Sequence, residues 1–256
     1  MQNTLVSIIT PTYNCAKFIE ETIRSVQAQT YLNWEMIISD DCSTDNTREI
    51  IAPYLESDSR IKYICNDKNS GAAITRNNAL RQAKGRWIAF LDSDDLWLPE
   101  KLEKQIAFME TNGYAFSYHE YAEIDEASQS LGLVVSGPKS ISKMGMYAYC
   151  WPGCLTVMYD ANVVGLVQIA DIKKNNDYAM WLKVIHKTNC HLLPELLAKY
   201  RRGRTGSIST HSYLALIKWH YKLFRQAEHK SVIASCLLTM GNLCCGIIKR
   251  LCFVKK

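Results

Sequence analysis

No G-x-G-x-x-G fingerprint and no P-loop occurs anywhere in this chain of 256 residues, which excludes both glycine-built phosphate cradles. A secretory leader is also missing. The first apolar run, residues 5–10, is short, has no basic flank and stops at Pro11, so the chain reads as one that stays in the cytoplasm. Acidic side chains nearly vanish after residue 198: of 25 Asp and Glu only Glu228 lies there, against 12 of the 30 Lys and Arg. The mild net charge of +5 therefore hides an acidic body and a basic tail, a tail suited to an anionic partner.

Ten cysteines are present, but with no export signal reduced thiols are expected, most of them small buried apolar groups. The nearest approach to a zinc pattern is Cys150-Trp151-Pro152-Gly153-Cys154 with Cys190-His191 far downstream. That spacing does not make a common finger. The six histidines, at 119, 186, 191, 211, 220 and 229, form no spaced ligand set. His211, beside a basic segment, is the one to test.

With 48% hydrophobic and 21% charged residues the chain reads as globular. Its first hundred residues alternate strand and helix signals: strands at 5–11, 34–39, 61–65 and 87–91, and helices at 17–29, after Ser43-Thr44-Asp45, and at 72–83. Pro99 is expected to start a further helix. This order predicts an α/β fold with a mainly parallel, doubly wound sheet. Residues 126–147 look irregular, a helix is expected over 178–186, and 199–210 reads as a basic mobile loop. Residues 213–226 have apolar residues at helical spacing, and 231–248 run uncharged before Lys249-Arg250. Eighteen such residues sit at the lower limit for spanning a bilayer of about 30 Å. Their modest hydrophobicity suits an amphipathic helix lying on an inner-leaflet surface, the alternative being a helix of the core. The expected division is a catalytic domain over 1–210 (a nucleotide-binding half at 1–112, an acceptor half at 113–210) and a basic amphipathic tail over 211–256.

Ligands of such sheets bind beyond the carboxyl ends of the strands. Thr12-Tyr13-Asn14, Asp40-Asp41 and Asp92-Ser93-Asp94-Asp95 all fall at such ends. Three carboxylates in four residues repel unless a cation or strong donors neutralise them. Mg2+ or Mn2+ held by one or two carboxylates and a substrate phosphate is the ordinary solution. Helix capping, the competing reading, needs only one carboxylate. Tyr13 suits stacking on a base, and Asp41 can accept from a base imide. Gly71 opens a helix whose N-terminus can approach phosphate, with Arg76 one turn in, near nucleotide or a carboxylate.

Four segments (residues 7–14, 40–45, 71–77 and 90–95) together resemble family 2 glycosyltransferases, closely over about residues 5–110. The resemblance implies an A-type glycosyltransferase fold. It implies that Pro11, Thr12, Tyr13, Asn14, Asp41, Gly71, Arg76, Asp92 and Ser93 serve the nucleotide-sugar. Asp94 would hold the metal, with Asp92 at the metal or ribose. The family's Glu-Asp pair before a Trp-bearing helix is matched by Asn176-Asp177 and Trp181. Asn176 departs from the pattern, but Asp177 remains for the catalytic base, and the helix dipole favours its ionised form. Arg201, Arg202 and Arg204 match an arginine-containing segment that contacts diphosphate.

The expected reaction is inverting transfer of a hexose, glucose or galactose, from a UDP-sugar to a lipid-linked saccharide. The resemblance favours GlcNAc-diphosphoundecaprenol and a β1,3 linkage, in O-antigen or capsule assembly. No nucleic acid partner is expected. Two other classes compete. A metal-dependent nucleotidyltransferase would need a phosphate-cradling loop that residues 11–14 do not supply. A non-catalytic, membrane-associated nucleotide-sugar-binding module would not need Asp92, Asp94 and Asp177 together.

Overall fold

Val6–Thr12, the first strand (β1), sends Val6 and Ile8 into one hydrophobic layer and Ile9 into another. That period-two alternation of apolar residues on both faces marks a strand buried between two layers of helices. In the computed structural model, which describes residues 4–203 and 213–255, helix α1 (Ile19–Gln27), β2 (Trp34–Asp40), α2 (Thr47–Ser57), β3 (Ile61–Cys65), α3 (Ala72–Gln82) and β4 (Trp87–Phe90) follow in turn. These four strands are parallel, in the order β3-β2-β1-β4, with Thr12 opposite Asp40 and Ile9 opposite Phe90. The turns after β1, β2 and β4 therefore open at one end of the sheet, as the sequence predicts.

The second half extends the sheet with antiparallel pairings. Its elements are β5 (Leu96–Trp97), α4 (Lys101–Asn112), β6 (Phe116–Ile124), β7 (Ser130–Val135), β8 (Ser140–Ile141), α5 (Lys143–Ala148), β9 (Met158–Asp160), α6 (Ala161–Val164), α7 (Asn176–Ile185) and β10 (Cys190–Arg201). β9 joins β4 to β6, and β10 runs parallel to β6. Three expectations are corrected here. Residues 126–147 are not irregular: they hold β7, β8 and α5, each fixed by a distant partner. The segment from Lys199 is not all loop, because Lys199, Tyr200 and Arg201 pair with Ala122, Glu123 and Ile124. Helix α4 starts at Lys101, two residues after Pro99, whose carbonyl accepts from the Thr30 N–H.

Helix α8 (Tyr213–Lys222) runs into a π-helical turn over Leu223–Ala227, and α9 (Val232–Cys252) follows, capped by the Ser231 hydroxyl on the Ala234 N–H. Helix α9 is amphipathic in an inverted sense. Its buried residues are Ser235, Thr239 and Asn242, whereas Ile233, Leu237, Met240, Ile247 and Leu251 are exposed. Thr239 and Ser235 return their hydroxyls to carbonyls one turn earlier, and Asn242 donates to the Tyr178 hydroxyl of α7. The chain then adds β11 (Val254–Lys255) to β7. By length and composition α9 is able to cross a membrane. None of the ten cysteines is joined in a disulfide.

Candidate active site

Asp41 is buried at the end of β2, where its carboxylate accepts from the Asn66 side chain and from the Ser70 and Gly71 N–H groups. Of about four acceptor positions on a carboxylate, this leaves one for a ligand. Gly71 takes a φ of 85°, which glycine adopts without the Cβ clash other residues meet. Asp41 therefore sets the loop that launches α3. The neighbouring Asp40 is consumed locally by Ser43 and the Tyr63 hydroxyl.

At the end of β1, Pro11 and Thr12 carry the chain to Tyr13, which is 45% exposed and faces outward with its ring free to stack. Asn14 is different. It takes a left-handed φ of 47°, its N–H donates to Ser43 Oγ, and its side-chain oxygen accepts from the Thr44 N–H. Asn14 ties the β1 turn to the β2 turn, and its local role is turn formation.

The carboxylate cluster sits beyond β4. Asp92 is half-buried and pairs with Arg76 at 2.5 Å; the same guanidinium donates to Asn176 Oδ1 at 2.6 Å. Burial opposes the charge of Arg76, but Asp92 more than restores it and pushes its pKa up. Arg76 thus links the acidic turn to the first residue of α7. Ser93 is buried, and its carbonyl accepts from the Cys15 thiol. Asp94 is half-buried and Asp95 fully so; burial, then Asp94 and Asp92, push the Asp95 carboxyl well above the usual range. Asp177 stands in the first turn of α7 and lines the same cleft as Asp92 and Asp95, a space of about 680 Å³.

The arginines divide. Arg201 is a correction to the expected diphosphate contact. Its side chain is fully buried and donates to the carbonyls of Asp94, Asp125 and Glu126, to Ser128 and to Glu21. It braces the acidic turn against β6 and α1. Arg202 lines the cleft, 58% exposed, and pairs with Glu123 at 2.8 Å. Arg204 and His211 lie outside the described residues.

The cleft also holds residues that the sequence reading passed over: Tyr121 and Glu123 from β6, Tyr200 from β10, and Gly153 and Cys154 from the loop before β9. The alternation Tyr121, Glu123, Asp125 was the available signal for the first two. Cys154, taken above with Cys150 as a weak metal pattern, lies instead beside Asp92 and Arg76, where burial pushes its thiol pKa up. Among the described residues no three His, Cys, Asp or Glu side chains form a closed metal site. An open site needs fewer, because substrate phosphate completes the coordination of Mg2+ or Mn2+.

A parallel sheet with carboxylates gathered beyond its second and fourth strands, continued by a mixed half across the cleft, is the A-type glycosyltransferase fold. Family membership follows from the match of residues 7–144 to the model described as glycosyl transferase family 2: the chain belongs to that family. It is 41% identical over 225 residues, covering 88% of each chain, to TuaG of Bacillus subtilis (strain 168), a protein named for a glycosyltransferase of teichuronic acid biosynthesis. It is 44% identical over 214 residues to WfaP of Escherichia coli, named a UDP-Glc:alpha-D-GlcNAc-diphosphoundecaprenol beta-1,3-glucosyltransferase, covering 84% of this chain and 83% of that one. The crystal structure of S. aureus TarS residues 1–349 with UDP-GlcNAc superposes with a TM-score of 0.72 at 21% identity, over 93% of this chain and 71% of that one.

Proposed function

We propose that this enzyme moves a hexose, glucose in preference to galactose, from its UDP derivative to GlcNAc-diphosphoundecaprenol, forming a β1,3 linkage with inversion. The observation that carries the reading is the single cleft holding Asp92 and Asp177, a donor-side and an acceptor-side carboxylate, in a chain similar to WfaP over most of its length. The work is the assembly of a cell-surface polysaccharide such as O-antigen.

In this account Tyr13 stacks on uracil, the remaining acceptor position of Asp41 takes the base imide N–H, and the α3 N-terminus behind Gly71 faces the phosphates. Arg76 holds Asp92 in place. Asp94, with Asp92, is the site for Mn2+ or Mg2+. The hard oxygen donors suit these ions, and the charge crowding felt by Asp95 is relieved by a cation. When bound, the ion screens the donor diphosphate. Asp177 accepts the proton of the acceptor hydroxyl as that oxygen bonds to the anomeric carbon. The bond from that carbon to the diphosphate oxygen breaks, and UDP departs with the electron pair. Attack from the face opposite the diphosphate turns an α-linked donor into a β-linked product.

The exposed apolar side of α9 rests on the inner leaflet, where the lipid of the acceptor is anchored. Its polar stripe is fastened to the body, which favours a helix lying along the bilayer surface over one crossing it. Co-sedimentation with phosphatidylglycerol vesicles tests this: Leu237→Glu is expected to abolish binding, and unchanged binding refutes the placement. The reaction is tested by incubating UDP-hexoses with a synthetic GlcNAc-diphosphate-lipid, with and without Mn2+, followed by linkage analysis. Release of UDP with a β1,3 disaccharide is expected. Pyrophosphate exchange would instead mark a nucleotidyltransferase, and donor binding without turnover a non-catalytic module.

A further inference from the structure

The acceptor wall of the cleft is built from two parallel strands in register. β6 contributes Tyr121 and Glu123, β10 contributes Tyr200, paired to Glu123 in the ladder, and Arg202 follows directly beyond the end of β10, its N–H donating to the Ile124 carbonyl. Residues two apart on a strand share a face, so these four form a patch of two aromatics and one ion pair. The rings of Tyr121 and Tyr200 lie 5.8 Å apart at 67°. Both tyrosines are half-buried, with part of each left open. Gly153 stands against this patch with no side chain: a Cβ there would come within 3.1 Å of the Tyr121 ring. The missing side chain lets the Tyr121 ring sit against that loop.

The chemistry of the patch is that of a pyranose subsite. A tilted aromatic pair covers the C–H face of a sugar ring, while vicinal hydroxyls donate to a carboxylate and accept from a guanidinium. Glu123 is 6% exposed and fixed by Arg202 at 2.8 Å, so its orientation is set before a sugar arrives. Charge then selects the sugar. Asp92, Glu123, Asp125 and Asp177 line the cleft, against Arg202 as the one lining cation among the described residues. A carboxylate on the acceptor ring would enter this field as a like charge.

Resting on the transferase reading above, the geometry points to Tyr121, Glu123, Tyr200 and Arg202 as the subsite for the acceptor's terminal sugar, and to an uncharged pyranose, not a uronic acid, as the sugar it accepts. Tyr13 and Asp41, the residues assigned to uracil, do not line this cleft, so altering the patch moves acceptor affinity and spares donor affinity.

The test measures calorimetric binding of two acceptor analogues to the UDP-loaded full chain, GlcNAc-diphosphate and glucuronate-diphosphate on the same short lipid, beside turnover. Tyr200→Ala is expected to weaken GlcNAc-diphosphate-lipid binding about tenfold or more, the scale of losing an aromatic contact and its burial. Tyr200→Phe is expected to stay within about twofold, and UDP affinity to remain unchanged in both. Wild type is expected to bind the glucuronate analogue at least about tenfold more weakly, with Glu123→Gln narrowing that ratio. Loss of UDP affinity in Tyr200→Ala equal to the loss for acceptor would overturn the subsite, as would equal binding of the two analogues by wild type. Wild-type binding that follows this pattern without hexose transfer would instead leave the subsite standing and refute the proposed reaction.

Discussion

Replacing Arg76 by methionine keeps an unbranched apolar stem but removes the guanidinium that joins Asp92 to Asn176. The Arg76 side chain is 9% exposed and that of Asp92 30%. Breaking a fully buried pair by deleting one partner costs about 3–5 kcal/mol, because the other charge stays behind without its counterion. Water reaches Asp92, so the upper part of that range is unavailable here, and Arg76→Met is expected to lower stability by about 2–3 kcal/mol. Asp92→Asn keeps the shape and loses the charge, leaving the buried guanidinium hydrogen-bonded to the Asn176 oxygen with Asp177 as its nearby opposite charge. Urea unfolding of wild type, both single variants and the double variant gives the coupling between them, expected at about 1.5–3 kcal/mol. A coupling below about 0.5 kcal/mol would mean that Arg76 does not hold the acidic turn, and the link from that turn to α7 would fail with it.

Three further outcomes are expected. Gly85→Ala places a Cβ 2.5 Å from the Ser7 nitrogen and 2.7 Å from the Leu5 carbonyl; backbone gives way poorly, so a loss of about 3 kcal/mol is expected, and a loss under about 1 kcal/mol would show that β1 moves freely. His119 is buried with its Nδ1 against the Glu120 carbonyl, and burial pushes its pKa down to about 3. The fold then favours the neutral ring: its contribution is complete above the unfolded value of about 6.5 and is lost as pH falls, at about 1.4 kcal/mol per pH unit. Wild type is therefore expected to lose stability faster than His119→Asn between pH 6.5 and 5, and parallel curves would refute a buried neutral histidine. Gly153→Ala presses on Tyr121 and is expected to raise the KM for acceptor several-fold with the KM for UDP-hexose unchanged; equal rises in both would place Tyr121 on the donor side.

The first half of the chain was legible because its signals are local. Apolar runs end in polar clusters at each strand terminus, and short connections leave a parallel order as the simple topology. The helix that begins at Asn176 was legible for a similar reason, since it carries Trp181 and an apolar face within one short segment. The second half was not. β8 is two residues long and exists through Cys190 and His191, which nothing around Ser140 announces. Arg201 looks like one of several exposed arginines, yet its partner Glu21 lies 180 residues away, and burial of that kind leaves no local pattern. The tyrosine patch depends on the register between β6 and β10, a long-range fact. Helix α9 was visible as an uncharged run, but the direction of its polar stripe, inward toward Tyr178, depends on what packs against it.

The central claim is that Asp177 takes the acceptor proton in a cleft shared with Asp92. Steady-state transfer of glucose from UDP-glucose to a GlcNAc-diphosphate-lipid, wild type against Asp177→Asn, tests it most directly. Asn preserves the size and helix position of Asp177 without its basicity, so kcat is expected to fall by about 10²–10⁴-fold while UDP-glucose affinity and melting temperature stay near wild type. A kcat within about threefold of wild type in the folded variant would remove Asp177 from the role of base.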